Sequence, residues 1–239
     1  MQIEWDDAPH LSAAQRAQLI ESIPLHLRDA RTKGIPALGS GQIYPVAENA
    51  VVVDAFALPD FWPRAYGMDV GWNRTAAVWG AWDRESDTIY LYSEHYQGQQ
   101  PPSVHADAIR ARGDWIPGAI DPASAGANQK DGTTLIEEYR QLGLRLSPAD
   151  NAIEAGLLAC YQRLASGRLK IFASLRALIA ELRIYRRDEN GKIVKENDHL
   201  MDALRYLIMT GIRVARTEPV LDDEYNHPST RGRSELTGY

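Results

Sequence analysis

The 239-residue sequence predicts an α/β domain, a mixed sheet with helices packed on both faces. Three observations carry that expectation. YGMDVGW, TAAVWGAWD and TIYLYSEHY follow one another as short strand-like runs separated by WNR and RESD turns, which is a three-stranded meander. Helical and extended segments then alternate through the middle of the chain. DHLMDALRYLIMTGIRVA closes the pattern as the last strong helix.

The remaining elements follow in order. Residues 1–50 read as a linker-like lead-in, in which Ser12 caps a helix running to about Ile23 and GIPALGSGQIYPV is extended and rich in Gly and Pro. The domain itself is expected over 51–216, with its core opening near Tyr66. PSVHADAIRARG has helical spacing and stops at Gly113, and GAIDPAS is a short apolar strand ending abruptly at Asp121-Pro122. DGTTLIEEYRQLG reads as a helix closed by Gly143, LRLSPAD as a short strand and loop, and AIEAGLLACYQRLASG as a helix closed by Gly167. RLKIF is extended, ASLRALIAELRIYRR is helical, and DENGKIV turns around Asn190-Gly191. From Thr217 onward Pro219, Pro228 and a polar mixture predict a flexible tail over 217–239, whose Asp222, Asp223 and Glu224 read as solvated rather than docked.

Composition narrows the classes of function. At 44% hydrophobic residues the chain can bury a core without disulfides, and the single cysteine, Cys160, excludes both an internal disulfide and a cysteine-based zinc cluster. Cys160 lies in an apolar helical run, where an inert buried thiol is expected. No stretch reaches the ~20 apolar residues of a membrane span, and the acidic start MQIEWDD does not resemble a signal peptide. The reading is a soluble intracellular protein. A formal net charge of -6 argues against a surface that grips nucleic acid everywhere, though Arg183, Arg186, Arg187, Lys192 and Lys195 cluster in sequence.

Three acids stand where acids are costly or useful. Asp69 sits inside an apolar strand between Met68 and Val70, Asp121 closes another strand, and Asp198 opens the last helix, where the helix dipole favours an anion. Converging at one end of a sheet, such carboxylates suit two Mg2+ or Mn2+ ions about 4 Å apart, a pair that activates water and stabilises the leaving oxygen of a phosphodiester. Each also has a plain structural explanation: a turn into Gly71, a turn before Pro122, a helix cap. Asp202 shares a helix face with Asp198 and reads equally as an outer metal ligand or as the partner of Arg205.

Beyond single residues, YGMDVGWNRTAAVWGAWD, WIPGAIDPASAGANQKDG, GLRLSPADNAIEAGL, KENDHLMDALRY and the lead-in ARTKGIPALGSGQIYP together resemble the C-terminal nuclease domain of tailed-bacteriophage terminase large subunits over about residues 5–215. The resemblance implies an RNase H-like fold and a two-metal endonuclease that cuts concatemeric double-stranded viral DNA during genome packaging, in the cytoplasm of the host cell. It implies a catalytic set of Asp69, Asp121 and Asp198, with Asp202 as a further metal ligand in the same motif. Asn73 and Thr75 are implied as supporting residues around the first acid, and His199, beside Asp198, reads as orienting a ligand or, as is commoner for a lone histidine, as a plain structural cap. Partners implied are double-stranded DNA, a motor ATPase domain, the portal and the small terminase subunit. GSGQIYP lacks the lysine of a phosphate-binding G-x-x-x-x-G-K-[ST] loop, so cutting without pumping is expected of this sequence.

Arg186, Arg187, Lys192 and Lys195 precede the acidic helix and are expected to position DNA, against the alternative of a solvated hairpin. Competing readings are a junction resolvase or ribonuclease H type of nuclease, an actin-like ATP-binding fold, for which no second phosphate-binding Gly-rich turn is found, and a non-catalytic module that binds packaging partners.

Overall fold

The computed structural model describes residues 41–126 and 133–219. The expected helix at Ser12–Ile23 and the acids Asp222, Asp223 and Glu224 lie outside them. In chain order the elements are α1 (Glu48–Val51), β1 (Val52–Val53), β2 (Arg64–Asp69), β3 (Thr75–Asp83), β4 (Thr88–Gln97), α2 (Pro102–Arg110), β5 (Gly118–Ile120), a 3-10 turn (Pro122–Ala125), α3 (Leu135–Gln141), β6 (Leu146–Pro148), α4 (Ile153–Ala165), β7 (Leu169–Phe172), α5 (Arg176–Ile184), α6 (His199–Tyr206), a π turn (Leu207–Gly211) and α7 (Ile212–Val214).

The seven strands form one mixed sheet in the order β1-β7-β4-β3-β2-β5-β6. β2, β3 and β4 are the antiparallel meander, while β5 pairs parallel with β2 and β7 pairs parallel with β4. Period-two alternation sends neighbouring side chains to opposite faces. Ala76 and Val78 of β3 join a core with Leu157, Cys160 and Leu164 of α4, Leu178 of α5 and Leu204 of α6. Ala77 and Trp79 join a second core with Ile109 of α2 and Tyr139 of α3. The sheet is thus covered on both faces, as its sequence predicts.

Helix stops also fall where expected. Gly143 and Gly167 end α3 and α4 with φ of 91° and 74°, a conformation that costs a residue with a Cβ about 1 kcal/mol or more. Cys160 is fully buried, and burial pushes its thiol up to about 12, so it stays protonated and inert.

Two expectations are corrected. The core does not open near Tyr66 but reaches back to Tyr44, which is 0% exposed. Its ring lies 5.6 Å from that of Tyr185, and Ile43 N–H donates to the Tyr185 carbonyl at 3.0 Å. β1 then adds an edge strand parallel to β7. The Gly/Pro-rich run gave no periodic sign of this because its partners lie far along the chain. Second, the closing helix is not uniform: it widens into the π turn where it rests on β2. A Cβ on Gly67 would collide with the Ala203 carbonyl oxygen, so strand and helix meet there backbone to backbone.

Candidate active site

β2 and β5 run parallel, and Asp121 N–H donates to the Met68 carbonyl at 3.0 Å, which places Asp69 and Asp121 side by side at the same end of the sheet. The Asp121 carboxylate also accepts from Ala123 N–H at 3.0 Å, so its turn-forming role is real and fixes it at the head of the 3-10 turn. α6 packs on β2 at Gly67 and brings His199 and Asp202 to that end. His199 Nδ1 lies 2.9 Å from Asp69 Oδ2.

Burial raises the Asp69 carboxyl above its ordinary value; the hydrogen bond from His199 opposes this, and the neighbouring charges of Asp202 and Asp121 add to it. Asp69 thus feels the charges of both Asp121 and Asp202. The Tyr206 hydroxyl is held protonated by burial and by the same three acids. Asp198 stands beside this group: its side chain is 8% exposed, and its Oδ2 lies 3.0 Å from Lys195 Nζ. It occupies the N-cap position of α6 without making a side-chain cap hydrogen bond.

Cations compensate this acidic end. Lys195 Nζ also reaches Asp202 Oδ2 at 3.1 Å, and Arg205 Nη2 reaches Asp202 Oδ1 at 3.1 Å. Burial works against the Lys195 charge, yet its contacts with Asp198 and Asp202 hold the ammonium above its ordinary value. The Asp69 carboxylate likewise holds the His199 imidazole above its ordinary value. Arg205 is 2% exposed and donates to Asn151 Oδ1 at 3.1 Å. The pairing of Asp202 with Arg205, weighed as its plain structural role, is present alongside its place near Asp69.

Among the described residues, no three His, Cys, Asp or Glu side chains already stand around one point as a formed metal site. The donor chemistry nevertheless fits a hard divalent cation: half-buried carboxylate oxygens gathered at one end of the sheet, balanced by an ammonium, a guanidinium and an imidazole.

The supporting residues separate by role. Thr75 Oγ1 donates to the Gly71 carbonyl at 3.2 Å and braces the turn that follows Asp69. Asn73 is exposed, and its backbone carbonyl packs against Gly98. Of the four expected DNA-positioning residues, Arg187 is paired with Glu154 at 2.7 Å and Lys195 is turned into the acidic end. Arg186 and Lys192 are exposed and make no ion pair among the described residues; the 187–193 segment does fold back, through the Arg187–Ile193 bridge. Sequence reasoning missed Tyr206 as a neighbour of the acids and Glu181, whose buried carboxylate lies behind α6. No local signal marked either, because both depend on how deep the helices sit on the sheet.

Residues 66–210 match the family model described as the terminase RNase H-like domain. The chain belongs to that family. A terminase large subunit of Enterobacteria phage LP7 is 33% identical over 218 residues, covering 87% of this chain and 45% of the phage protein. The terminase domain therefore spans less than half the length of the curated relatives it matches. The solved nuclease domain of the P22 large terminase superposes with a TM-score of 0.68 at 29% identity, covering 75% of this chain and 96% of that one. The large terminase of the thermophilic phage D6E shares the fold with a TM-score of 0.63 at 20% identity, covering 86% of this chain and 53% of that one. The RNase H-like fold expected of the sequence is thus the fold of this terminase domain.

Proposed function

We propose that this terminase domain is a divalent-metal-dependent endonuclease that cuts concatemeric double-stranded viral DNA during genome packaging. The observation that carries the reading is the gathering of acids at one end of the sheet: Asp121, just after β5, hydrogen-bonds beside Asp69 of β2, and α6 brings His199 within 2.9 Å of Asp69 and the charge of Asp202 close to it. Asp69, Asp121 and Asp202 would hold two Mg2+ or Mn2+ ions, with Asp198, expected from sequence as the third acid, completing the set beside Lys195. Ions so held supply an activated water and stabilise the departing phosphodiester oxygen.

The chain's own residues prepare that chemistry. His199 fixes one oxygen of Asp69, Arg205 fixes one oxygen of Asp202, and Thr75 holds the turn after Asp69 in place. Arg186 and Lys192 present free positive charge to a phosphate backbone. The nuclease unit is taken as 51–216 joined to the segment that buries Tyr44, with 217–239 as a tail. A motor ATPase domain, the portal and the small subunit are its proposed partners, in the host cytoplasm. No helix among the described residues is long and apolar enough to cross a membrane.

Plasmid digestion with Mn2+ or Mg2+ tests this directly. Cutting is expected in the wild type, abolished by chelation and lost by more than about a hundredfold in Asp69→Asn, Asp121→Asn and Asp202→Asn. An Asp202→Asn variant that cuts normally while Asp198→Asn does not would return the third position to Asp198. Preference for four-way junctions or RNA-DNA hybrids over duplex would favour the resolvase or ribonuclease H reading, and an inert wild type would sink the catalytic reading.

A further inference from the structure

The first turn of α6 carries the acidic end of the site, yet nothing in its own sequence caps it. The first N–H groups of any helix lack intrahelical acceptors and must find them elsewhere. Asp198, at the N-cap, has a side chain of the type that usually supplies that acceptor, but it points to Lys195 instead. The acceptor comes from another helix: Glu181 Oε2, on α5, accepts from Leu200 N–H at 2.7 Å and from Met201 N–H at 3.3 Å.

We propose that Glu181 is a positioning residue for the nuclease site: by capping α6 from outside, it sets the place of His199 and Asp202 against Asp69 and leaves the Asp198 carboxylate to pair with Lys195 rather than cap the helix. This rests on the site reading given above.

The cap is anchored in turn. α5 begins at Arg176 after Leu175, which has no side-chain oxygen to offer, and its open N–H groups are taken by Glu94 of β4: Ala177 N–H to Oε1 at 3.0 Å and Leu178 N–H to Oε2 at 2.8 Å. A relay of two carboxylates therefore runs from the sheet to α5 and from α5 to α6. Glu181 is 3% exposed. Burying a carboxylate costs several kcal/mol, and an apolar residue of similar volume would avoid that cost only by leaving the Leu200 and Met201 N–H groups without this acceptor. What an apolar residue cannot do is hold two amides of the helix that carries Asp202.

The test compares Glu181→Met, which keeps the volume and removes the acceptor, with Glu181→Gln, which keeps an acceptor oxygen, and with Leu178→Ala, a cavity in the same helix that leaves the cap in place. Two quantities are read: hydrogen exchange of the Leu200 and Met201 amides in metal-free protein, and Mn2+ affinity by calorimetry. Glu181→Met is expected to speed exchange of those amides relative to the core and to weaken Mn2+ binding by about tenfold or more, the scale typical of residues that orient metal ligands. Glu181→Gln is expected to stay within about threefold on both, and Leu178→Ala to lower stability while leaving both near wild type. A folded Glu181→Met with wild-type exchange and wild-type Mn2+ affinity overturns the proposal, as does equal loss in Leu178→Ala. A wild type that binds no Mn2+ defeats the metal reading of the site, while the exchange comparison still decides the role of Glu181.

Discussion

Gly67 and Ala203 touch backbone to backbone: a Cβ on Gly67 would run into the Ala203 carbonyl oxygen and crowd Leu207 N, 2.6 Å away. This contact sets how closely the helix bearing Asp202 lies on the strand bearing Asp69. Gly67→Ala is expected to destabilise the domain by about 3 kcal/mol or more, because neither partner is a side chain that can swing aside. Urea unfolding measures it. Near-wild-type stability would mean that α6 can lift from β2 at little cost.

Lys195, its side chain 60% exposed, bridges Asp198 and Asp202 as a counter-ion at the surface. Lys195→Met is expected to lower metal-free stability by about 1 kcal/mol or more, since it leaves the buried Asp198 uncompensated. The same change is expected to tighten Mn2+ binding by roughly threefold to tenfold, because an ion no longer competes with the ammonium; each tenfold corresponds to about 1.4 kcal/mol. Calorimetry on both proteins checks the pair of effects. Weaker Mn2+ binding would instead make Lys195 a support for the ion.

His95 Nε2 and His105 Nδ1 lie 2.9 Å apart in the interior. Burial, with His105 and Arg112 nearby, pushes His95 down to about 4. The unfolded chain, with an ordinary value near ~6.5, therefore binds more protons between these limits. Its contribution is complete above about 6.5 and is lost as pH falls toward 4, by at most on the order of 3 kcal/mol. Urea unfolding at pH 7 and pH 5 is expected to show a larger loss in the wild type than in His95→Gln. Glu181, which burial pushes up to about 7, has the opposite linkage, but it is present in both proteins and cancels in the comparison.

Arg186 and Lys192 are exposed and unpaired among the described residues, whereas Arg187 is engaged by Glu154. Replacing both Arg186 and Lys192 with Gln is expected to reduce the salt dependence of duplex affinity by roughly 2 in log-log slope, near 0.9 for each phosphate that is no longer neutralised. Arg187→Gln is expected to change it much less, and to cost under about 1 kcal/mol of stability because the pair is partly exposed. Fluorescence anisotropy across a salt series separates the two. An unchanged slope in the double variant would remove this segment from the DNA surface.

The sequence by itself determined the sheet and its covering helices, because strand alternation, helix spacing and terminal glycines such as Gly143 and Gly167 are local and act wherever the chain lies. It also singled out Asp69, since a carboxylate inside an apolar strand is costly in any fold. Only the tertiary structure decided what depends on depth and rotation. Asp198 and Asp202 share one helix face, so spacing cannot separate them; the seating of α6 on Gly67 brings Asp202 to Asp69 and turns Asp198 toward Lys195. Tyr44 reads as part of a linker until the packing of distant segments makes it core, and Lys195 stays at the surface but is turned onto Asp198 and Asp202 instead of outward. Glu181 meets α6 across a stretch of chain that no periodicity spans, so its capping of Leu200 and Met201 comes from packing alone.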